Sequence, residues 1–310
     1  MESEISLSIV IPCFNEEKNI SSLYIELKDT LNQLNYSYEI IFSDDGSKDG
    51  TFEKIKELNN KDKSVKGISL SRNFGHQIAL MAGIKAAKGK IVITMDGDLQ
   101  HPPAIIPELL KKQSEGFDIV NTRRIDNADI GFIKKTTSKT FYKFVNYMAD
   151  IHIEPASADF RLMTRKAVDA FIEIPERDRF TRGLISWMGF NQTIIDYQAA
   201  KRFAGKSKYT FRKMLHFASD GITSFSSKPL RFSFYFGLLT FFLGLLYSVY
   251  SIFNHFSGNT VSGWTSLMVT VLIIGGIQLL SIGIIGEYIA RIFNESKSRP
   301  LYFIKDATKD

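Results

Sequence analysis

Asp96 and Asp98 stand one residue apart and are followed by the amide of Gln100. Two carboxylates and an amide oxygen at this spacing are hard oxygen ligands suited to Mg²⁺ or Mn²⁺. An ion held there would neutralise negative charge on a phosphate-bearing ligand. Gly97 lets the chain turn sharply between the two acids. Acidic turns are common, so the pair gains its weight from its position just past the apolar run Ile91–Met95. A second pair, Asp44 and Asp45, follows Tyr38–Phe42 and could accept hydrogen bonds from a base or ribose. The alternative there is an Asx-type turn through Asp45-Gly46. The chain has neither Gly-x-Gly-x-x-Gly after its first apolar run nor Gly-x-x-x-x-Gly-Lys-Ser/Thr, so dinucleotide and P-loop readings lose their main support. Cys13 has no evident base partner. His76, His101, His152, His216 and His255 are too scattered for a metal site and read as structural or surface residues.

The elements that must carry these acids alternate. Leu7–Pro12 reads as a buried strand, and Ile20, Leu23, Leu27, Leu31 and Leu34 recur on one face of a helix. Strands are expected at Tyr38–Phe42, Gly67–Leu70, Ile91–Met95 and Asp118–Thr122, and helices near Thr51–Leu58, His76–Ala87 and Pro103–Lys112. That alternation implies a parallel, doubly wound sheet with helices on both faces. Ligands of such sheets bind beyond the carboxyl ends of the strands. Asn15 and Glu16, Asp44 and Asp45, Arg72 and Asn73, and Asp96 and Asp98 each lie just past a strand.

The chain has 310 residues, 44% of them hydrophobic and 23% charged, which excludes a disordered or collagenous polymer. With one cysteine it has no internal disulfide. Its first residues, Met1-Glu-Ser-Glu4, are acidic where a signal peptide would be basic. The net charge of +6 is concentrated. Eight basic residues and one acid fall between Ala199 and Arg231, immediately before a run from Phe232 to Gly286 without Asp, Glu, Lys or Arg. A basic cluster beside an apolar run suits anionic lipid head groups, at about 1 kcal/mol per residue, better than nucleic acid. The run divides into spans near Phe232–Phe253 and Thr265–Ile289, each long enough to cross a bilayer, the alternative being a buried soluble hairpin. Lys228, Arg231, Arg291, Lys297 and Arg299 flank the outer ends, so both ends and the large N-terminal domain are expected in the cytoplasm, at the inner membrane. Glycines in the spans suit close helix contacts within the hairpin or in a homo-oligomer.

Ile9-Val-Ile-Pro-Cys-Phe-Asn-Glu-Glu17, Asp44-Asp-Gly-Ser-Lys-Asp-Gly-Thr51, Ser71-Arg-Asn-Phe-Gly75 and Asp96-Gly-Asp-Leu-Gln-His-Pro-Pro103 occur in this order. Together they resemble the inverting GT-A glycosyltransferases, in particular the dolichol-phosphate mannose synthase and bactoprenol (undecaprenyl phosphate) glucosyltransferase group. Ala158-Asp-Phe-Arg-Leu162, Arg202 with Gly205-Lys-Ser-Lys-Tyr209, Asp220-Gly-Ile-Thr-Ser-Phe225, Pro229-Leu-Arg231, Arg299-Pro-Leu-Tyr302 and the two spans are similar to the bactoprenol branch. The likeness covers nearly the whole chain. It implies a GT-A, Rossmann-like, doubly wound and mostly parallel sheet over residues 1–210. An amphipathic interface segment at 211–231, a transmembrane hairpin at 232–290 and a cytoplasmic tail at 291–310 would follow.

The resemblance also implies roles. Pro12, Asn15, Glu16, Asp44, Asp45, Arg72, Asp96, Asp98, Arg202 and Lys208 would bind the nucleotide sugar, UDP being favoured over GDP. Asp96, Asp98 and Gln100 would hold Mg²⁺ or Mn²⁺, and Arg202 would clamp the departing diphosphate. Asp159 is the residue this branch offers as general base. The acceptor, a polyprenyl phosphate, has a second pKa near 6 and is already largely dianionic at pH 7, so Asp159 would alternatively orient Arg161 or the sugar, or simply pair with Arg161. Two anions must meet in the reaction, which calls for cations near the lipid phosphate. Arg123, Arg124, Lys134, Lys135 and Ser138 are the candidates. Ile130, Ile133, Phe141, Phe144 and Met148, and again Phe211, Leu215, Ala218, Ile222 and Phe225, form apolar stripes suited to the membrane interface or to a core. The product would be a polyprenyl-phosphate sugar for cell-surface glycan modification. A processive polysaccharide synthase would be expected to carry Gln-x-x-Arg-Trp and more spans, and a non-catalytic nucleotide-sugar scaffold has no need of Asp96, Asp98 and Arg202.

Overall fold

The computed structural model describes residues 5–125, 146–149, 157–177, 179–198, 221–257 and 263–309. Five parallel segments expected from sequence open the chain: β1 (Leu7–Cys13), β2 (Tyr38–Asp44), β3 (Val65–Leu70), β4 (Ile91–Thr94) and β5 (Ile119–Ile125). Between them run α1 (Glu17–Leu31), α2 (Thr51–Lys61), α3 (His76–Ala86), a 3₁₀ turn at Pro103–Ile105 and α4 (Ile106–Ser114). Three further strands, β6 (Ser157–Thr164), β7 (Gln192–Gln198) and β8 (Ile304–Ala307), complete one sheet of order β7-β5-β6-β4-β1-β2-β3-β8. The short helices α5 (Arg165–Glu173) and α6 (Thr181–Trp187) join β6 to β7.

Every residue of β1 is buried, as a strand covered on both faces must be. Leu7, Ile9 and Ile11 share a cluster with Ile20, Leu23, Leu27 and Leu31 of α1, Ile55 of α2 and Leu109 of α4. On the opposite face Val10 lies under Gly83 of α3, where an added Cβ would come within 2.5 Å of Val10 Cγ1. The sheet is mostly parallel. The two departures are β6, antiparallel to both β4 and β5, and β8, antiparallel to β3 at the edge.

The chain divides into two compact units. The first comprises Met1–Asn146, Ile151–Met214 and Arg299–Asp310, the second Tyr147–Asp150 and Leu215–Ser298. The segment 291–310, expected as a tail, therefore starts within a helix of the second unit and ends as a strand of the first unit's sheet. Its physical basis is the β3–β8 ladder and the bonds beyond it: Thr308 N–H donates to Gly67 O (2.9 Å) and Gly67 N–H to the side-chain Thr308 Oγ1 (2.9 Å).

The second unit holds a helical turn over 221–225 and two long helices, α7 (Lys228–Phe256) and α8 (Trp264–Ser296). Both contain stretches long and apolar enough to cross a membrane, Lys228–Asn254 and Val269–Ser296, and among the described residues none buries them. Such continuous exposed apolar surface is unfavourable in water and matches a lipid environment. Within this unit Tyr288 Oη donates to Ser226 O (2.6 Å), and Arg291 Nη1 to Ser224 Oγ (3.2 Å), joining α8 to the turn that precedes α7.

Candidate active site

The carboxyl ends of the parallel strands surround a cavity of about 450 Å³. Its wall is built by Pro12 and Cys13 at the end of β1 with Phe14 and Glu16 just past it, Asp45 after β2, Asn73, Gly75, His76 and Ala79 after β3, Asp96, Gly97 and Asp98 after β4, and Asp159 of β6. Because β6 runs antiparallel, its beginning rather than its end reaches this edge. Thr94 pairs with Arg161, and continuing that register sets Asp159 across from Asp96. Thr94 Oγ1 donates to Asp159 O (2.6 Å) and fixes the alignment.

Asp159 is buried in a ring of donors. Arg161 Nη2 lies 2.9 Å from Oδ1, Arg182 Nε 3.4 Å from the same oxygen, and Gln77 Nε2 3.3 Å from Oδ2. Burial opposes its ionisation, but the charges of Arg182, His76 and Arg161 prevail and hold it well below the usual carboxylate range. His76 Nε2 is 3.5 Å from Asp159 Oδ2 and 3.4 Å from Asp96 Oδ1, spanning the two acids. Burial works against its protonation, yet Asp159 and Asp96 raise its pKa above the ordinary histidine value. On the other side of Asp96, the backbone N–H of Asp96 donates to His101 Nδ1 (2.9 Å). We therefore assign His101 as the Nε2–H tautomer. Its ring is stacked on Phe160 (5.2 Å) and edge-on to Tyr197 of β7 (5.8 Å).

The turn between the two acids differs from expectation. Gly97 has no positive φ; the left-handed residue is Leu99 (φ 62°). A left-handed leucine costs about 1–2 kcal/mol, and packing of its side chain against the main core offsets this. Asp98 Oδ1 accepts the N–H of Gln100 (3.2 Å). Gln100 itself is buried with its amide oxygen on Arg124 Nη1 (2.8 Å), so its side chain is not on the cavity wall with the two acids.

The structure separates the remaining sequence candidates by what they touch. Asp45 is buried, and its two oxygens accept the backbone N–H groups of Phe74 (2.7 Å) and Gly75 (2.9 Å). Burial raises its pKa despite those bonds. Asp44 lies off the wall, its carboxylate accepting from Ser47 N–H (3.1 Å) and Ser69 Oγ (2.7 Å). Asn15, with φ 56°, accepts from Lys48 N–H (2.9 Å) and ties the β1 loop to the β2 loop. Arg72 covers the ring of Phe74 at 4.1 Å and is also off the wall. Arg123 makes a bidentate pair with Asp196 (2.7 and 3.0 Å). Arg202, Lys208, Lys134, Lys135 and Ser138 lie outside the described residues, as do most members of the two apolar stripes.

His76 and His101 read from sequence as structural or surface residues and Arg182 and Tyr197 were not singled out; His101 meets Asp96 within one turn, whereas His76, Arg182 and Tyr197 meet partners distant in the chain. The histidines' common signal is proximity to the loops after β3 and β4. Cys13 is buried, and burial together with Asp44, Glu16 and Asp96 raises its thiol well above the ordinary value, so it is no thiolate nucleophile.

One glycine is required by this arrangement. Gly46 (φ +69°) lies against the backbone of Arg72, and a Cβ there would fall 2.5 Å from the Arg72 carbonyl carbon. Gly46→Ala is expected to destabilise the first unit by about 1–2 kcal/mol or more, from the left-handed conformation alone. Chemical denaturation checks this, and an unchanged midpoint would show that the loop relaxes freely.

A site can hold a divalent cation if oxygens are aimed and unspent. Among the described residues no three His, Cys, Asp or Glu side chains converge as a complete ligand set. What the cavity offers is Asp98 and an Asp96 Oδ1 that is buried and accepts no hydrogen bond, with His76 Nε2 3.4 Å away. Mg²⁺ characteristically takes one or two carboxylates and completes its shell with substrate phosphates and water, so these residues fit it. Glu16 carries the same message: burial raises its pKa, and the charges of Asp98, Asp49 and Asp96 add to the rise while Asn19 opposes it.

A mostly parallel sheet with paired carboxylates around one cavity at its carboxyl edge, in a chain that also carries an apolar helical hairpin, defines an α/β, GT-A-type domain joined to a candidate membrane anchor. Residues 8–171 match the family described as Glycosyl transferase family 2, and residues 228–292 match GtrB C-terminal hairpin. A bactoprenol glucosyl transferase of Shigella phage SfV is 42% identical over 301 residues, 97% of this chain and 98% of that protein. A prophage bactoprenol glucosyl transferase homolog of Escherichia coli (strain K12) is 40% identical over 304 residues, 98% and 99% of the two chains. Among solved structures, glucosyl-3-phosphoglycerate synthase from Mycobacterium tuberculosis is similar over 72% of this chain and 80% of that one, at 18% identity and a TM-score of 0.46. The chain belongs to glycosyltransferase family 2, and it is a glycosyltransferase.

Proposed function

We propose that this protein transfers a sugar, with inversion, from a nucleotide sugar (UDP-glucose is favoured) to a polyprenyl phosphate at the cytoplasmic face of a membrane. The observation that carries the reading is the convergence of Asp96, Asp98 and Asp159 on one cavity, in a chain whose relatives include bactoprenol glucosyl transferases over nearly their full length.

Asp96 and Asp98 would hold Mg²⁺ or Mn²⁺, which when bound neutralises charge on the donor diphosphate. Glu16, Asp45 and Asn73 surround the nucleotide, while Asp44, Asn15 and Arg72 keep the surrounding loops in shape. An oxygen of the lipid phosphate attacks the anomeric carbon. The bond between that oxygen and the anomeric carbon forms as the bond from the anomeric carbon to the nucleoside diphosphate oxygen breaks, and inversion follows from in-line displacement. The acceptor is already largely dianionic at pH 7, so no side chain has to remove its proton. Arg202 and Lys208 are assigned to the leaving diphosphate, and Arg123, Arg124, Lys134, Lys135 and Ser138 to the lipid phosphate, as the family resemblance implies. Of the two described arginines Arg124 is the better supported, since it reaches Gln100 beside the acidic turn whereas Arg123 pairs with Asp196.

The return of the chain to its own sheet supports the topology. β3 and β8 pair in one sheet, and a bilayer cannot divide a hydrogen-bonded sheet. A spanning hairpin between them crosses an even number of times, and the basic residues at its outer ends set that side as cytoplasmic.

The test is incubation of the purified full-length protein with undecaprenyl phosphate, Mg²⁺ or Mn²⁺ and a panel of nucleotide sugars. Nucleoside diphosphate release that requires lipid and divalent ion, with a lipid-linked sugar of inverted anomeric configuration, is the expected result. No release with any donor would overturn the reading.

A further inference from the structure

The segment Asn73–Ala79 supplies four residues of the cavity wall, Asn73, Gly75, His76 and Ala79. Its outer side is closed by the far end of the chain. Tyr302 packs against the cluster of Ile68, Leu70, Ala79 and Ala82, together with Phe74, so Ala79 has the cavity on one side and the Tyr302 cluster on the other. Ser71 N–H donates to Phe303 O (2.9 Å) where β3 gives way to this segment, and Ile304 pairs with Leu70. The ladder is irregular between Ser69 and Leu70, at the end of β3. Further along the segment, the N–H groups of Phe74 and Gly75 are spent on Asp45, a wall residue on the neighbouring loop.

We propose that Tyr302, with Phe303 and β8 behind it, is a positioning element of the donor site, shaping the Asn73–Ala79 wall although it touches no substrate. This rests on the reading of the cavity as a nucleotide-sugar site. It makes the stretch following the second apolar helix a working part of the active site rather than a trailing tail. The ring matters rather than the hydroxyl, since the observed role is packing in an apolar cluster. A wall that is preorganised loses less freedom when ligand binds, and loosening it weakens affinity without removing a contact.

The experiment uses the full-length protein with UDP and Mg²⁺ in titration calorimetry, and donor KM against kcat in turnover. Tyr302→Ala, and the milder Tyr302→Leu, are expected to weaken UDP binding about tenfold and raise donor KM more than they lower kcat. Tyr302→Phe should bind within about twofold of wild type. Leu27→Ala, in the separate cluster of α1, lowers the melting temperature without touching this wall and should also bind UDP within about twofold. UDP binding unchanged in both truncations, or weakened equally by Leu27→Ala, overturns the proposal while the donor-site reading stands. A wild-type protein that binds no nucleoside diphosphate overturns both.

Discussion

Asp98→Asn is expected to lower kcat/KM for the nucleotide sugar by about 100- to 1,000-fold, the range found when one electrostatic contact to a transition state is removed. The melting temperature should move by no more than about 2 °C, in keeping with a part-exposed surface change worth less than about 0.5 kcal/mol. The separation of the two effects follows from what Asp98 touches. Its carboxylate is half-buried, and Oδ1 accepts one backbone N–H, from Gln100 at 3.2 Å, a bond the asparagine amide oxygen can accept equally well. The lost quantity is a negative charge beside Asp96, and with it affinity for a divalent ion. Raising Mn²⁺ concentration should therefore recover part of the activity. Glu16 supplies an independent readout, because Asp98 is among the charges that raise its pKa. In the asparagine variant that rise should shrink, and carboxyl chemical shifts during a pH titration would detect it. Activity within threefold of wild type at limiting Mg²⁺ would remove Asp98 from the proposed metal site.

The residues that gave the fold away are those whose neighbours are close in sequence or whose surroundings are uniformly apolar. β1, β2 and β4 read as strands because both faces are covered and few of their positions need be polar. The helix α1 read clearly because Ile20, Leu23, Leu27 and Leu31 mark one face. β6 did not, because Asp159 and Arg161 alternate with Phe160 and Leu162, and two ionised residues in a central strand contradict the pattern of a buried parallel one. They are tolerated there because they neutralise each other at 2.9 Å. β8 is a four-residue edge strand, short and polar at Lys305 and Asp306, and its pairing with β3 spans more than 230 residues of chain. No local preference announces such a contact.

The candidate site shows the same division. Asp96, Asp98, Asp45, Glu16 and Pro12 were legible because a doubly wound sheet delivers its loops to one edge whatever their exact shape. Positions that depend on backbone geometry were not. The left-handed turn falls on Leu99 and not on Gly97, since the leucine side chain has a core to pack into while the chain at Gly97 does not need positive φ. Gln100 has the right chemistry for a metal ligand but is drawn to Arg124, a residue of β5, two strands away in the sheet. His76 and His101 looked unrelated because 25 residues separate them, yet each meets Asp96 from a different side.

Asp159→Asn should be the most destabilising single change in the site, and its pH behaviour separates a proton acceptor from a charge partner. Arg161 is fully buried beside Asp159, and removing the carboxylate leaves that guanidinium without its closest counter-charge. Breaking a buried pair in this way costs about 3–5 kcal/mol, a fall in Tm on the order of 10 °C for a unit of this size. The carboxyl is held below its ordinary value, so its contribution to stability is complete above the unfolded pKa of about 3.9 and is lost as pH falls below it. Wild type and variant should therefore differ by the full amount above about pH 4 and converge only as pH falls on through the folded-state pKa, which lies well below that. For catalysis the consequence is opposite to that of a base tuned near neutrality. A group ionised throughout the working range cannot generate an acidic limb there, whereas the acceptor phosphate, with its second pKa near 6, can. The acidic limb of kcat/KM for the lipid is expected near pH 6 in wild type and should persist in the residual activity of Asp159→Asn, measured below the variant's melting temperature. A variant that melts with wild type and has lost transfer at every pH would instead assign Asp159 to proton transfer.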